Sequence, residues 1–157
     1  MVKRNGTPRL FDIKTNILLA QTDTTVGFLS QDATKLSAIK ARPNTKPFIV
    51  VYKNFQILKN NQKRVPNRQK NRIRRAKKTT FIVKNFAFRV ADDVVNSSYL
   101  RKNSWTYSTS ANESGKKFSR AFCEQKADII IEDNKALFEG KASKLYKLNN
   151  KKIKRLR

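Results

Sequence analysis

The chain has 157 residues, of which 36 are Lys or Arg and 11 are Asp or Glu, a formal charge of +25. That length suits one domain, residues 1–157, and a 38% hydrophobic content that includes ten Phe is enough for a small core. One cysteine, Cys123, and no histidine exclude an internal disulfide framework, a Cys/His zinc site and any mechanism built on a histidine base.

No apolar run approaches the roughly 18 residues of a membrane span, and no secretory leader is read at the start. A reducing, cytoplasmic location without membrane attachment is therefore expected. The charge predicts polyanionic partners. Composition is a second source of that charge, since Lys, Asn, Ile and Phe are all over-encoded by AT-rich genomes.

Along the chain, residues 16–21 read as a short buried strand. A hydroxyl-rich turn follows, Gln21-Thr22-Asp23-Thr24-Thr25-Val26-Gly27. Taken by itself it reads best as a turn satisfying local backbone groups, with a small polar ligand at the strand end as the alternative. Residues 32–40 form a predicted helix capped by Asp32, with Leu36 and Ile39 at helical spacing and Pro43 as its stop. Lys40-Ala41-Arg42-Pro43-Asn44-Thr45-Lys46-Pro47 places three cations between that helix and a strand over 47–52. Two readings stay open there: a grip on a triphosphate, or cations matched to a helix C-terminus.

No acidic residue occurs between Asp32 and Asp92, and residues 59–78 are the most basic stretch. An RNA phosphate contact and a solvated loop are both open for it. It has no interleaved aromatic residue, so base stacking is not indicated. Strands over 79–83 and 86–90 are read as a hairpin through Lys84-Asn85, followed by a helix over 94–102 and a β-like segment over 105–110. Tyr107-Ser108-Thr109-Ser110-Ala111-Asn112-Glu113-Ser114-Gly115 reads by itself as an N-cap region, with a phosphate or carboxylate cradle as the alternative. A helix over 118–126 holds Cys123 as a small core residue. Strands over 127–131 and 145–148 complete the pattern. Strands interleaved with short helices predict an α/β (α+β) fold with a twisted mixed β-sheet flanked by short helices. No Walker A pattern is present.

Taken in order, these segments resemble the YrdC/TsaC family, the threonylcarbamoyl-AMP synthases. The resemblance rests on Thr22-Asp23-Thr24 with Gly27, on Lys40, Arg42, Pro43, Lys46 and Pro47 of a Lys-x-Arg-Pro-x-x-Lys-Pro pattern, and on Arg89-Val90. Thr109-Ser110-Ala111-Asn112 with Ser114-Gly115, the Asp128–Ile131 strand, Ser143 and Arg155 complete it. It covers residues 16–157. Val26 takes the place of the family's pocket tyrosine, and Gln21 and Lys144 are further departures.

The resemblance implies a single YrdC-like domain that joins L-threonine, bicarbonate and ATP into threonylcarbamoyl-AMP and pyrophosphate, for the threonylcarbamoyladenosine modification of tRNA. It implies Lys40 and Arg42 as catalytic phosphate binders. Lys46, Ser110, Asn112, Ser143 and Arg155 would join them on ATP, and Thr22, Thr24 and Arg89 would hold threonine. Mg2+ is expected on the triphosphate, held by phosphates and water rather than by protein ligands. tRNA and the threonylcarbamoyl-transfer proteins are further candidate partners. A non-catalytic protein that binds RNA (tRNA or double-stranded RNA) with the same fold is the alternative, in which Lys70, Arg72, Arg74 and Arg75 would carry the contact.

Overall fold

The computed structural model describes residues 2–4 (backbone only), 12–41, 47–61, 65–91, 100, 103–132 and 134–157. Among the described residues, ten strands form one mixed sheet: β1 (Val2–Arg4), β2 (Leu18–Gln21), β3 (Val26–Ser30), β4 (Ile49–Tyr52), β5 (Thr79–Val83), β6 (Phe86–Val90), β7 (Trp105–Ser110), β8 (Ile129–Ile131), β9 (Lys144–Leu148) and β10 (Ile153–Arg155). Their order across the sheet is β1-β8-β2-β3-β7-β4-β6-β5-β9-β10. Three pairs are parallel, β2 with β8, β4 with β6 and β5 with β9. The remainder are antiparallel.

Period-2 alternation builds a core on both faces of the central strands. Leu19 and, from the adjoining residues, Ile17 join Val26, Phe28, Leu36 and Cys123 on one side. Leu18 and Ala20 join Leu29, Val51 and Ile129 on the other. Both faces of β2 and β3 are covered, so these strands are buried along their whole length rather than alternating. A third cluster lies under β4, β5 and β6, where Phe81 and Phe88 pack with Leu58 and Ile73.

Among the described residues, four α-helices cover the sheet: α1 (Ala33–Lys40), α2 (Phe55–Asn60), α3 (Lys70–Arg75) and α4 (Arg120–Lys126). The Asp32 carboxylate caps α1 by accepting from the Lys35 N–H at 3.0 Å. The helix stops at Ala41, which turns left-handed at φ 44°. This stop falls ahead of Pro43, and residues 42–46 lie outside the described residues, as do 92–99 and 101–102 of the helix expected over 94–102. The hairpin of β5 and β6 turns through Lys84, at φ 55°, and Asn85.

Several elements escape the sequence reading. β3 follows the hydroxyl turn directly and pairs back on β2. α2 is nucleated by Asn54, whose side chain accepts from the Ile57 N–H at 2.9 Å. α3 forms inside the basic stretch, anchored by Ile73, which is 1% exposed. One buried residue among many cations is too sparse a pattern to show a helical period.

Candidate active site

The turn between β2 and β3 is held by its own side chains. The Thr22 hydroxyl donates to the Thr25 carbonyl at 2.6 Å and lies 3.2 Å from the Thr24 hydroxyl. That is the local satisfaction expected of the segment alone. The turn also does more. Gly27, opposite Ser110 in the β3–β7 pairing, lets β7 and the turn close together. A Cβ at Gly27 would stand 3.1 Å from the Thr109 carbonyl and 3.2 Å from the Thr22 methyl.

Arg89 reaches this turn from β6. Its Nη1 donates to Asp23 Oδ1 at 2.6 Å and to Thr24 Oγ1 at 2.9 Å. Both charged side chains are almost fully buried, at 5% and 7% exposure. Asp23 Oδ2 and Arg89 Nε have no hydrogen-bond partner among the described residues. A buried ion pair with spare polar valence on both sides is costly as pure scaffolding.

Arg89 opens into a cavity of about 320 Å³. Its wall is hydroxyl-rich, from Thr22, Thr24, Thr25, Ser108, Thr109, Ser110 and Ser143, and Arg157 supplies a second cation. A larger cavity of about 580 Å³ adjoins it and shares Thr22, Thr24, Ser143 and Arg157. There Lys78, Lys141, Lys144 and Arg155 join the wall. Asp23 is the one carboxylate among the described residues lining either cavity.

Phe138 and residues 140–143 wall the larger cavity, and Ala142 and Ser143 line both. The Phe138 carbonyl accepts from the Val26 N–H at 3.3 Å, and the Phe138 N–H donates to Gln21 Oε1 at 3.1 Å. Gly140 presses on the turn, and its N–H donates to the Thr25 hydroxyl at 3.0 Å. Ser143 is buried, its hydroxyl 2.9 Å from that of Thr80, and its carbonyl accepts from Arg157 Nε at 3.1 Å.

Beside the cavity, the Lys40 side chain runs inward from the last residue of α1 and is 5% exposed. Its ammonium donates to the Ser110 carbonyl at 3.1 Å, to the Asn112 carbonyl at 2.6 Å and to Asn112 Oδ1 at 2.8 Å. The Ser110 hydroxyl donates to the same Oδ1 at 2.7 Å.

Thr22, Thr24, Arg89, Ser110 and Ser143 thus meet around one cavity, with Lys40 and Asn112 joined to it through Ser110. Arg155 lies apart: it is exposed, lines only the larger cavity, and its Nε donates to the Arg157 carbonyl at 3.1 Å. Arg157, two residues on, reaches both cavities and was missed, because in a basic tail one Arg looks like another. Asp23 was named within a motif but given no role; its signal was a lone acid in a hydroxyl turn. Arg42 and Lys46 lie outside the described residues.

Val26 does not line either cavity among the described residues. It is 1% exposed and packs in the core with Phe28 and Leu36. Cys123 is a buried core residue, and burial pushes its thiol pKa up. Burial raises the Tyr52 hydroxyl as well, with a smaller contribution from Tyr107. No group of three or more His, Cys, Asp or Glu placed to hold a metal occurs among the described residues. No helix among them is long and apolar enough to cross a membrane.

Known structures share this architecture. A Sua5 structure from P. abyssi, complexed with L-threonine, superposes with a TM-score of 0.76 at 19% identity, covering 94% of this chain and 51% of that one. HypF in a phosphate- and nucleotide-bound form gives 0.73 at 14% identity over 100% of this chain and 25% of that one. The MTH1692 protein from Methanobacterium thermoautotrophicum gives 0.66 at 18% identity, over 99% and 88%. The chain therefore spans about half the length of the Sua5 protein it matches. Comparison with curated protein sequences gives no match. The Sua5/YciO/YrdC family model, described as "Telomere recombination", matches residues 14–157, nearly the whole chain, and the chain belongs to that family.

Proposed function

We propose that the chain is a threonylcarbamoyl-AMP synthase, a nucleotidyltransferase acting on L-threonine, bicarbonate and ATP. One observation carries the reading. A buried arginine, fixed by Asp23 and Thr24, faces a hydroxyl-lined cavity of about 320 Å³ that also holds a second arginine. A small zwitterion with a carboxylate and a hydroxyl fits those donors. The Sua5 structure with L-threonine supports this class of ligand for the fold.

The chemistry needs positioning and charge neutralisation more than a protein base. The free threonine amine attacks the carbon of CO2 derived from bicarbonate, forming a C–N bond and losing a proton to solvent. A carbamate oxygen then attacks the α-phosphorus of ATP. An O–P bond forms, the bond between the α-phosphorus and its bridging oxygen breaks, and pyrophosphate leaves with the electron pair.

Arg89 would hold the threonine carboxylate, with Thr22 and Thr24 beside it. Ser110, Ser143 and Arg157 would receive the carbamate and α-phosphate. Lys40 holds the 110–112 turn in place and brings positive charge to it. Asn112, Arg42, Lys46 and Arg155 belong to the phosphate side by resemblance. Mg2+ would ride on the phosphates and water, consistent with the scarcity of carboxylates around the cavities. tRNA modification is the process such a product serves, and tRNA and the transfer proteins are its proposed later partners.

The test is pyrophosphate release from ATP with L-threonine and bicarbonate, each omitted in turn. Release that requires both supports the synthase. Folded protein that releases none, or releases it without threonine, overturns the reading.

A further inference from the structure

Thr80, on β5, is wholly buried, and its hydroxyl lies 2.9 Å from that of Ser143. We propose that Thr80 is a positioning residue: its hydroxyl donates to Ser143 Oγ, and the Ser143 proton is thereby left for an anionic oxygen of the bound substrate. Which oxygen that is, on the carbamate or the α-phosphate, rests on the proposed function; the direction of the hydrogen bond stands on the structure.

The direction follows from counting partners. Among the described residues each of these two hydroxyls has the other as its single hydrogen-bond partner. One proton fills the bond between them, and the second must find its acceptor elsewhere. Were Ser143 the donor, the Thr80 proton would be stranded at a residue with 0% exposure, without acceptor or solvent. With Thr80 as donor, the surplus proton belongs to Ser143, which lines both cavities and can meet solvent or a ligand there. Only the second arrangement leaves every hydroxyl satisfied.

Other threonines of the sheet solve the same problem differently. Thr79 gives its proton to the Lys77 carbonyl at 2.7 Å. The Thr106 hydroxyl has the Ser30 and Tyr107 carbonyls as acceptors, at 3.1 and 2.9 Å. Both end on backbone oxygens, whereas Thr80 ends on a side chain in a cavity wall. Nor is its bond needed to join the strands. β5 and β9 are already paired from Thr79 opposite Lys144 to Ile82 opposite Lys147.

Ser143 is held in its other respects. Its carbonyl accepts from Arg157 Nε at 3.1 Å, and the Lys144 N–H donates to the Lys78 carbonyl at 3.0 Å. The hydroxyl rotor is the remaining freedom, and Thr80 removes it. A donor fixed in advance needs no reorganisation as charge builds on the oxygen it faces. Accepting from Thr80 also polarises the Ser143 hydroxyl and strengthens it as a donor. Arg157 lines the same wall, so the pair favours an anionic oxygen over an ammonium. Thr80 lines neither cavity and acts through Ser143.

The test has two parts. The direction is read in the wild-type protein by NMR, from hydroxyl protons correlated to isotope-labelled Cβ atoms of Thr and Ser. A slowly exchanging proton should appear on Thr80 and be missing from Ser143. The effect is read in kcat for pyrophosphate release. Thr80→Val, which keeps the shape and loses the hydroxyl, should lower kcat about tenfold and leave both KM values within about twofold. Thr80→Ser should return kcat to within about twofold of wild type. Ser143→Ala should cost about a hundredfold, and adding Thr80→Val to it less than about twofold more. Thr79→Val, the neighbouring control, should keep its kcat.

A slowly exchanging proton on Ser143 instead of Thr80 would overturn the direction. Wild-type kcat in Thr80→Val, a loss that multiplies with that of Ser143→Ala, or an equal loss in Thr79→Val would overturn the positioning role. Failure of the synthase reading is told apart by the NMR result. Protein that releases no pyrophosphate yet holds the slow proton on Thr80 keeps the relay and loses only the identity of its acceptor.

Discussion

The Lys40 ammonium grips Asn112 twice, at its carbonyl and at its side-chain oxygen, and takes the Ser110 carbonyl as a third acceptor. The Asn112 amide is oriented by this grip: its oxygen receives Lys40 and the Ser110 hydroxyl, and its nitrogen donates to the Lys116 carbonyl. Lys40 therefore fixes the shape of the strand end that faces the cavity, whatever it also does for phosphate.

Lys40→Ala should be both less stable and inactive. It leaves part-buried acceptors without their donor, at a cost of about 1 kcal/mol, or a fall in Tm of a few degrees. Pyrophosphate release should drop at least a hundredfold, since the donor set around Ser110 loses its geometry. Lys40→Arg should recover charge but not the three-point grip, and fall between the two. A Lys40→Ala protein with wild-type Tm would contradict the structural role, and one with wild-type turnover would contradict both.

The Asp23–Arg89 pair predicts an asymmetric double-mutant cycle. Asp23→Ala strands a buried guanidinium and should cost about 3–5 kcal/mol by urea unfolding. Asp23→Ala with Arg89→Met removes both charges and should recover much of that loss. Function should not recover with stability: the double variant should stay inactive if Arg89 receives threonine. Arg89→Lys should raise the KM for threonine and leave that for ATP nearly unchanged. A matched rise in both would place Arg89 outside the threonine contact.

Gly140 is the tightest point of the cavity wall. A Cβ there would lie 2.0 Å from the Thr24 carbonyl oxygen, a backbone atom that cannot swing aside. Gly140→Ala must push the 136–143 segment off the turn and break the Gly140 N–H bond to the Thr25 hydroxyl. The expected result is at least a tenfold loss of pyrophosphate release and a Tm lower by a few degrees. Gly115→Ala is the control. It sits at φ 79° with open space around its Cβ position, so it strains only its own backbone and should leave the KM values unchanged.

How legible this was in the sequence varies with the source of each feature. β2, β4, β5 and β6 were visible because buried strands write continuous apolar runs. α1 was visible because Asp32 caps a helical spacing of Leu36 and Ile39. The meeting of Thr22, Thr24, Arg89, Ser110 and Ser143 is a consequence of sheet order, and no local pattern encodes it; only resemblance to a family linked those residues. Val26, at the position of the family's pocket tyrosine, lies instead in the core.

Stability should fall in alkali through two buried acids. The Cys123 thiol is pushed above its ordinary 9.0 by burial, partly offset by a backbone hydrogen bond involving Ser119 and by the Lys40 charge. The folded state then holds this proton more tightly than the unfolded chain. The stabilisation is complete below the unfolded value and is lost as pH rises through the raised folded value. Tyr52 acts in the same direction from its ordinary 10.0 upwards. The urea midpoint should therefore decline as pH rises above about 9, with Tyr52 adding to the loss above about 10, and Cys123→Ala should flatten the early part of that decline. An unchanged slope in Cys123→Ala would remove the thiol from the explanation.

Arg155 and Arg157 separate the two cavities. Both line the larger one, but Arg157 alone also reaches the hydroxyl-lined cavity with Arg89, and its Nε is fixed on the Ser143 carbonyl. If the α-phosphate is activated beside Ser143, charge at Arg157 acts on the reacting atoms, whereas Arg155, which does not line that cavity, acts from farther away. Arg157→Gln should lower kcat about a hundredfold, the scale for one positioned charge at a developing oxyanion. Arg155→Gln should raise the KM for ATP by less than about fivefold and leave kcat near wild type. The reverse ranking would move the reaction into the larger cavity, and the carbamate and phosphate contacts would then have to be sought around Lys78 and Lys141.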